Sequence, residues 1–103
     1  LASKELGIGV YEGVYIGVAG PNFETPAELR MMRRFGADSV GMSTVPEVIV
    51  ARHAGIKVIG FAAISDRAVP DDLKPITAEE VLEMAKKAGR DMSKLILKTL
   101  EKV

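Results

Sequence analysis

The chain has 103 residues, of which 48% are apolar and 27% charged, and its 14 basic residues balance 14 acidic ones. This length allows one domain with a modest core, and no basic stripe indicates nucleic-acid binding. The absence of cysteine excludes disulfides and thiolate metal sites, and a single histidine excludes a multi-histidine metal site. No apolar run approaches the length of a membrane span and no signal peptide is evident, so we expect a cytoplasmic protein.

The first residues have the character of a helix end. The run from Leu1 to Leu6 resembles the last turns of a helix, and Gly7 is placed as its cap. The sequence therefore begins inside an element, and we expect it to be part of a larger protein.

Three apolar runs with the character of strands follow, and they alternate with helical patterns. The runs are Gly13–Ala19, Asp38–Met42 and Lys57–Ile64. Continuous apolar runs of this kind are typical of a sheet covered on both faces. The alternation predicts an α/β fold, a three-layer α/β/α arrangement with a mainly parallel sheet and right-handed crossovers.

Each predicted helix after the first begins with the pattern T-x-x-E. In such a capping box the threonine hydroxyl accepts from a backbone N–H of the first turn, and the glutamate accepts from the threonine N–H. The three pairs are Thr25 with Glu28, Thr44 with Glu47 and Thr77 with Glu80. Pro26 and Pro46 suit a first helical turn, where the missing N–H has no partner.

Polar side chains follow each predicted strand, at Asn22–Glu24, Met42–Ser43 and Ser65–Asp66. In parallel sheets these positions share the carboxyl edge, where ligands bind. Each residue also has a plain structural interpretation. Glu24 is either a ligand acceptor or a first-turn acid, Ser43 an anion contact or a turn residue, and Asp66 a ligand contact or an Asx turn. Met42 packs either on a ligand or in the core.

Two long strings carry a family resemblance. The run from Gly20 to Glu28, G-P-N-F-E-T-P-A-E, resembles the G-P-[SN]-F-E-T-x-A-E motif of the trimeric purine nucleoside phosphorylases. The run from Gly36 to Glu47, G-A-D-S-V-G-M-S-T-V-P-E, is similar to a second motif of that family, and Val50–His53 continues it. The resemblance implies a phosphorylase-like fold of which residues 1–103 form the C-terminal portion of a single domain.

The family cleaves purine nucleosides with phosphate to a free base and ribose 1-phosphate. No metal or organic cofactor is implied, and inorganic phosphate is a co-substrate. By resemblance, the base contacts Phe23, Glu24, Val40, Ser65, Asp66 and Ala68, the ribose contacts Tyr15 and Met42, and phosphate contacts Ser43. Glu24 and Asp66 are the expected catalytic residues.

Two residues depart from the usual pattern of the family. Asp66 stands where an asparagine usually bonds N7 and the six-position substituent, and Ala78 stands where many members have a histidine that bonds the ribose 5′-hydroxyl. Both changes resemble the methylthioadenosine phosphorylase branch, so methylthioadenosine or methylthioinosine is the alternative substrate. Glu24 and Ser43 instead match the nucleoside phosphorylase type.

The resemblance also sets expectations for partners. The family's phosphate-binding glycine loop, its histidine and its arginine have no counterpart among these residues, so we expect the isolated chain to be inactive. Partners would be the purine nucleoside, phosphate and the remaining part of the same protein, assembled as a homotrimer, with neither nucleic acid nor membrane. The alternative of another class is a non-catalytic α/β nucleotide-binding module.

Overall fold

The computed structural model describes all 103 residues. Its elements are α1 (Ala2–Leu6), β1 (Tyr15–Gly17), α2 (Pro26–Arg34), β2 (Ser39–Gly41), α3 (Thr44–His53) and α4 (Ala78–Leu100). The chain divides into a sheet unit, residues 13–60 with 68–74, and a helical unit, residues 1–12, 61–67 and 75–103. None of the helices combines the length and apolar character that crossing a bilayer requires.

The sheet unit contains two parallel strands, which confirms the predicted parallel pairing. Ile16 of β1 lies opposite Val40 of β2. The Asp38 carboxylate accepts a 2.8 Å hydrogen bond from the Val14 N–H, and the Val14 carbonyl accepts from the Asp38 N–H at 2.8 Å. Asp38 therefore fixes the pairing of β1 with β2 where the strands begin. Its position in the sequence, directly before a strand, was a signal for this role.

The predicted third strand is wrong, because residues 57–64 form neither a strand nor a helix. They make no backbone hydrogen bond with any other residue. Ile59 is 66% exposed and Ile64 is 60% exposed. The run is apolar, but a strand also requires a hydrogen-bonded neighbour, and no part of this chain takes that place.

Two of the three predicted capping boxes are confirmed. The Thr25 N–H donates to Glu28 Oε2 at 2.9 Å, and the Thr25 hydroxyl accepts from the Glu28 N–H at 3.2 Å. Thr77 and Glu80 make the same pair of bonds at the start of α4.

The box predicted at Thr44 and Glu47 is wrong. Helix α3 begins one residue earlier than expected, with Ser43 as N-cap and Thr44 already in the first turn. Neither Thr44 nor Glu47 makes a side-chain capping bond. Ile49 of the same helix is 63% exposed.

Helix α2 and helix α3 are attached to the sheet unit differently. Helix α2 buries Leu29 and Met32, which are spaced for one helical face. Helix α3 buries no residue fully, but its Val45 lies directly against β1 at Gly17. A Cβ placed on Gly17 would lie 2.7 Å from Val45 Cγ2 and 2.8 Å from its Cβ, so Gly17 permits this close approach.

In the helical unit, α1 packs against α4 and ends at Gly7 as predicted, with φ of 66°. Lys102 Nζ donates to Glu5 Oε1 at 2.6 Å, and Lys98 Nζ lies 3.6 Å from Glu5 Oε2. The hydrogen bond from Lys102 lowers the pKa of the Glu5 carboxyl, with a further contribution from Lys98. A charged cluster therefore joins a five-residue helix to the last turn of α4 and the residues after it.

Candidate functional site

The carboxyl ends of β1 and β2 lie at one edge of the sheet unit, because the strands are parallel. The segment Val18–Glu24 leaves β1 there, and Met42–Ser43 leaves β2. The two segments meet, since a Cβ built on Gly20 would lie 3.1 Å from Met42 Cγ. Gly20 also has φ of 69°, a left-handed conformation that glycine adopts without strain.

Phe23 and Glu24 occupy the end of the first segment, immediately before the cap of α2. Phe23 is 63% exposed, whereas Glu24 is half-buried. The Asn22 side chain donates to the Phe23 carbonyl at 3.0 Å. An aromatic ring and a carboxylate thus follow one another at the sheet edge, where a flat heterocycle could stack on one and donate an N–H to the other.

Tyr15 and Val40 lie on the two strands, and both are half-buried. The Tyr15 hydroxyl lies so close to Gly41 that any Cβ at position 41 would overlap it. Gly41 therefore leaves the space into which the Tyr15 ring extends. Sequence reasoning did not identify Gly20 or Gly41 as site residues, although a glycine near the end of each strand can mark a close approach to the backbone.

Ser43 is the N-cap of α3, and its exposed hydroxyl makes no capping bond. The first turn of α3 thus keeps backbone N–H groups without side-chain partners, next to an unused hydroxyl. This combination suits an oxyanion, which the positive end of a helix favours.

The remaining predicted base contacts divide between the units. Ser65 and Asp66 belong to the helical unit, and Ala68 belongs to the sheet unit. Ser65 and Ala68 are half-buried and Asp66 is exposed. The structure brings Met42, at the end of β2, against Gly20 in the segment that follows β1. The convergence of Phe23, Glu24 and Ser43 on one ligand, and of the third group with them, stays a prediction. No three histidine, aspartate or glutamate side chains come together as a metal site.

Comparison with known protein families identifies the fold. The phosphorylase superfamily matches residues 1–101. The chain belongs to the phosphorylase superfamily. The α/β fold class and the family resemblance predicted from the two motifs are thereby confirmed.

Several curated relatives in this superfamily are purine nucleoside phosphorylases. The chain is 49% identical over 94 residues to purine nucleoside phosphorylase 1 of Geobacillus stearothermophilus, covering 91% of this chain and 34% of that protein. It is 47% identical over 94 residues to the purine nucleoside phosphorylase of Mus musculus, covering 89% and 32% respectively. The chain thus spans about a third of the length of these relatives.

Solved structures of the superfamily superimpose on the chain. A Schistosoma purine nucleoside phosphorylase in complex with hypoxanthine matches with a TM-score of 0.92 at 42% identity, over 99% of this chain and 38% of that one. The Schistosoma mansoni enzyme in complex with adenosine matches with a TM-score of 0.77 at 38% identity, with the same coverage. None of these comparisons supports the alternatives of a methylthioadenosine phosphorylase or a non-catalytic module.

Proposed function

We propose that this sequence supplies the purine-binding side of a nucleoside phosphorylase, within a polypeptide of its relatives' length. The reaction is phosphorolysis of purine ribonucleosides and 2′-deoxyribonucleosides. Phosphate forms a bond to the anomeric carbon as the bond from that carbon to N9 breaks, and the base leaves with the proton that hydrogen phosphate gives up. The products are the free base and ribose 1-phosphate, or 2-deoxyribose 1-phosphate from a 2′-deoxyribonucleoside. The observation that carries the proposal is the meeting of the two motif segments, with Met42 lying on Gly20 at the carboxyl edge.

Each site residue has a role in this proposal. Phe23 packs on the base and the Glu24 carboxylate accepts the base N1–H, while Val40, Ser65 and Ala68 line the base pocket. Tyr15 and Met42 lie along the ribose, and the Ser43 hydroxyl donates to phosphate. Catalysis comes from positioning and from stabilising charge, since the ribose passes through an oxocarbenium-like state.

The proposal is tested by base release from inosine, guanosine and adenosine, with and without phosphate, using a polypeptide of the relatives' length that contains this sequence. Turnover should require phosphate. Glu24→Gln should lower kcat/KM by about ten- to a hundredfold, because a hydrogen bond to a charged group contributes about 1.5–3 kcal/mol. The matched control is Glu12→Gln, which changes an exposed carboxylate. Phosphate-independent release, or equal behaviour of the two variants, would contradict the proposal.

Asp66 is proposed to shift base choice towards six-amino purines. An ionised carboxylate only accepts hydrogen bonds, so it accepts from a six-amino group and repels a six-oxo oxygen. Glu24 acts in the opposite direction, because as a carboxylate it matches the N1–H of a six-oxo base. Asp66→Asn should raise the ratio of kcat/KM for inosine over adenosine by about ten- to a hundredfold, the equivalent of one unpaired polar contact. An unchanged ratio would show that Asp66 does not contact the base.

The proposal extends to the state of the whole enzyme. It includes a cytoplasmic homotrimer that uses no metal and no organic cofactor, and it rests here on the family resemblance. Light scattering of the full polypeptide should give three times the subunit mass. Exhaustive dialysis against EDTA should leave turnover unchanged.

A further inference from the structure

The loop Ala68–Lys74 belongs to the sheet unit but contains neither helix nor strand. Within it the Asp72 N–H donates to the Val69 carbonyl at 3.1 Å, which closes a turn. Pro70 is the one buried residue of the loop. The next residue, Asp71, accepts a hydrogen bond from the Arg30 guanidinium and forms an ion pair with it. Two neighbouring residues thus attach this loop to the sheet unit.

Arg30 lies on α2, four residues after the first helical residue, Pro26. Four residues correspond to about 6 Å along a helix axis. Glu24 stands just before the cap of the same helix, and Ala68 stands three residues before Asp71. The ion pair therefore joins the helix that follows one proposed base contact to the loop that begins with another.

We propose that Arg30 and Asp71 are positioning residues that hold the loop Ala68–Lys74 in the arrangement that binds the nucleoside base, an inference that rests on the proposed function. Neither residue contacts the substrate. Because the loop lacks regular structure, it has few other restraints against moving. Loss of the pair lowers the fraction of molecules whose loop is competent to bind, and the apparent nucleoside affinity falls by that fraction.

The exposure of the pair sets the size of the effect. The Arg30 side chain is 50% exposed and that of Asp71 is 78% exposed. Pairs this exposed change an equilibrium by at most about fivefold, and salt screens them. We therefore expect a small rise in the KM for nucleoside that disappears at high ionic strength, with no change in the KM for phosphate.

The test compares Arg30→Gln, Asp71→Asn and the double variant in the polypeptide of the relatives' length. Each single variant should raise the KM for nucleoside roughly two- to fivefold at low salt, with kcat and the KM for phosphate unchanged. The double variant should be no worse than either single one. Exchanging the charges, Arg30→Asp with Asp71→Arg, should restore most of the loss.

Two controls remove neighbouring charges without touching the pair. Arg34 lies on the same helix and makes no ion pair, so Arg34→Gln removes only its charge. Asp72 lies in the same loop beside Asp71, and Asp72→Asn removes its 3.9 Å ion pair with Lys74, which stays within the loop. Both should leave the KM for nucleoside unchanged. Equal effects in variants and controls, additive losses in the double variant, or losses that persist at about 1 M salt would overturn the inference.

Amide hydrogen exchange of the same polypeptide separates this inference from the proposed function. Exchange in the loop, including the Asp72 amide, should be faster in Arg30→Gln than in Arg34→Gln. If phosphorolysis is present but loop exchange and KM are unchanged, the inference is wrong and the proposed function stands. If phosphorolysis is absent from the unmodified polypeptide, the proposed function fails, and with it the role in nucleoside binding.

Discussion

Helices α2 and α3 begin with the same T-x-x-E pattern, yet only α2 forms a capping box. Thr25 is followed directly by Pro26, and a residue before proline favours extended backbone, which is the conformation of an N-cap. Accordingly Thr25 has φ of −71° and ψ of 158°. Thr44 is followed by Val45 and joins the helix itself, so the cap moves back to Ser43.

The difference shows two ways of starting a helix. The start of helix α2 is held by side-chain capping bonds within its first turn. Helix α3 lacks them and is held by the packing of Val45 on Gly17. The second way leaves the Ser43 hydroxyl available to a ligand, whereas in α2 the Thr25 hydroxyl accepts from the Glu28 N–H.

The comparison is tested most strongly at Ser43. If its free hydroxyl donates to phosphate, Ser43→Ala in the full polypeptide should raise the KM for phosphate by about ten- to a hundredfold, the range for a hydrogen bond to a charged group. The free energy of unfolding should change by only a few tenths of a kcal/mol, because no capping bond is lost. Thr25→Ala provides the contrast, with lower stability and an unchanged KM for phosphate. A large loss of stability in Ser43→Ala would show that the hydroxyl caps α3 after all.

Gly17→Ala should affect the start of α3 through packing. The added methyl group would overlap Val45, and overpacking of this kind costs about 1–3 kcal/mol. Urea unfolding of the variant measures the loss. Gly60→Ala is the matched control, because a Cβ there meets nothing within 4 Å. Equal midpoints for the two variants would show that α3 does not depend on this contact.

Thr25→Ala should cost about 1 kcal/mol, the usual value for an N-cap whose side chain bonds the first turn. Thr44→Ala, at the same position of the sequence pattern, should cost under about 0.5 kcal/mol because its side chain makes no such bond. Urea midpoints of both variants provide the comparison. Similar losses would mean that Thr44 also acts as a cap in solution.

The smallest expected change in stability concerns the ion pairs of Glu5 in α1 with Lys98 in the last turn of α4 and with Lys102 just after it. The Lys102 hydrogen bond lowers the pKa of Glu5 below its ordinary value of 4.5. The resulting stabilisation is present above pH 4.5 and is lost as the pH falls through the lowered pKa. Thermal unfolding followed by circular dichroism should show a shallower acid decline in Glu5→Gln than in Glu12→Gln. Equal loss of thermal stability with falling pH in the two variants would show that Glu5 does not stabilise the attachment of α1 to α4.

Local signals predicted local structure well. The boxes of α2 and α4 form from residues three positions apart, and the cap at Gly7 depends on one residue. The parallel pairing of β1 with β2 followed from the alternation of strands and helices. The start of α3 was misplaced by one residue because the pattern does not record where the neighbouring proline lies.

Non-local structure was not accessible in the same way. The apolar composition of residues 57–64 could not show whether a neighbouring strand is present, and a strand depends on that neighbour. For the site, the two motifs placed Phe23, Glu24, Met42 and Ser43 at one sheet edge. The close approach at Gly20 depends on the side chain of Met42, which lies 22 residues later in the sequence. The close approach at Gly41 depends on the side chain of Tyr15, which lies on the other strand of the pair.

The open run at residues 57–64 has a consequence for storing and concentrating the chain. Its N–H and C=O groups have no partners in the molecule, so a second molecule can supply them. Lys57 is the one charged side chain of the run, which has no proline and a single glycine. This is the composition of segments that stack into cross-β fibrils. Covering the run, or keeping the chain dilute, should therefore slow its self-association.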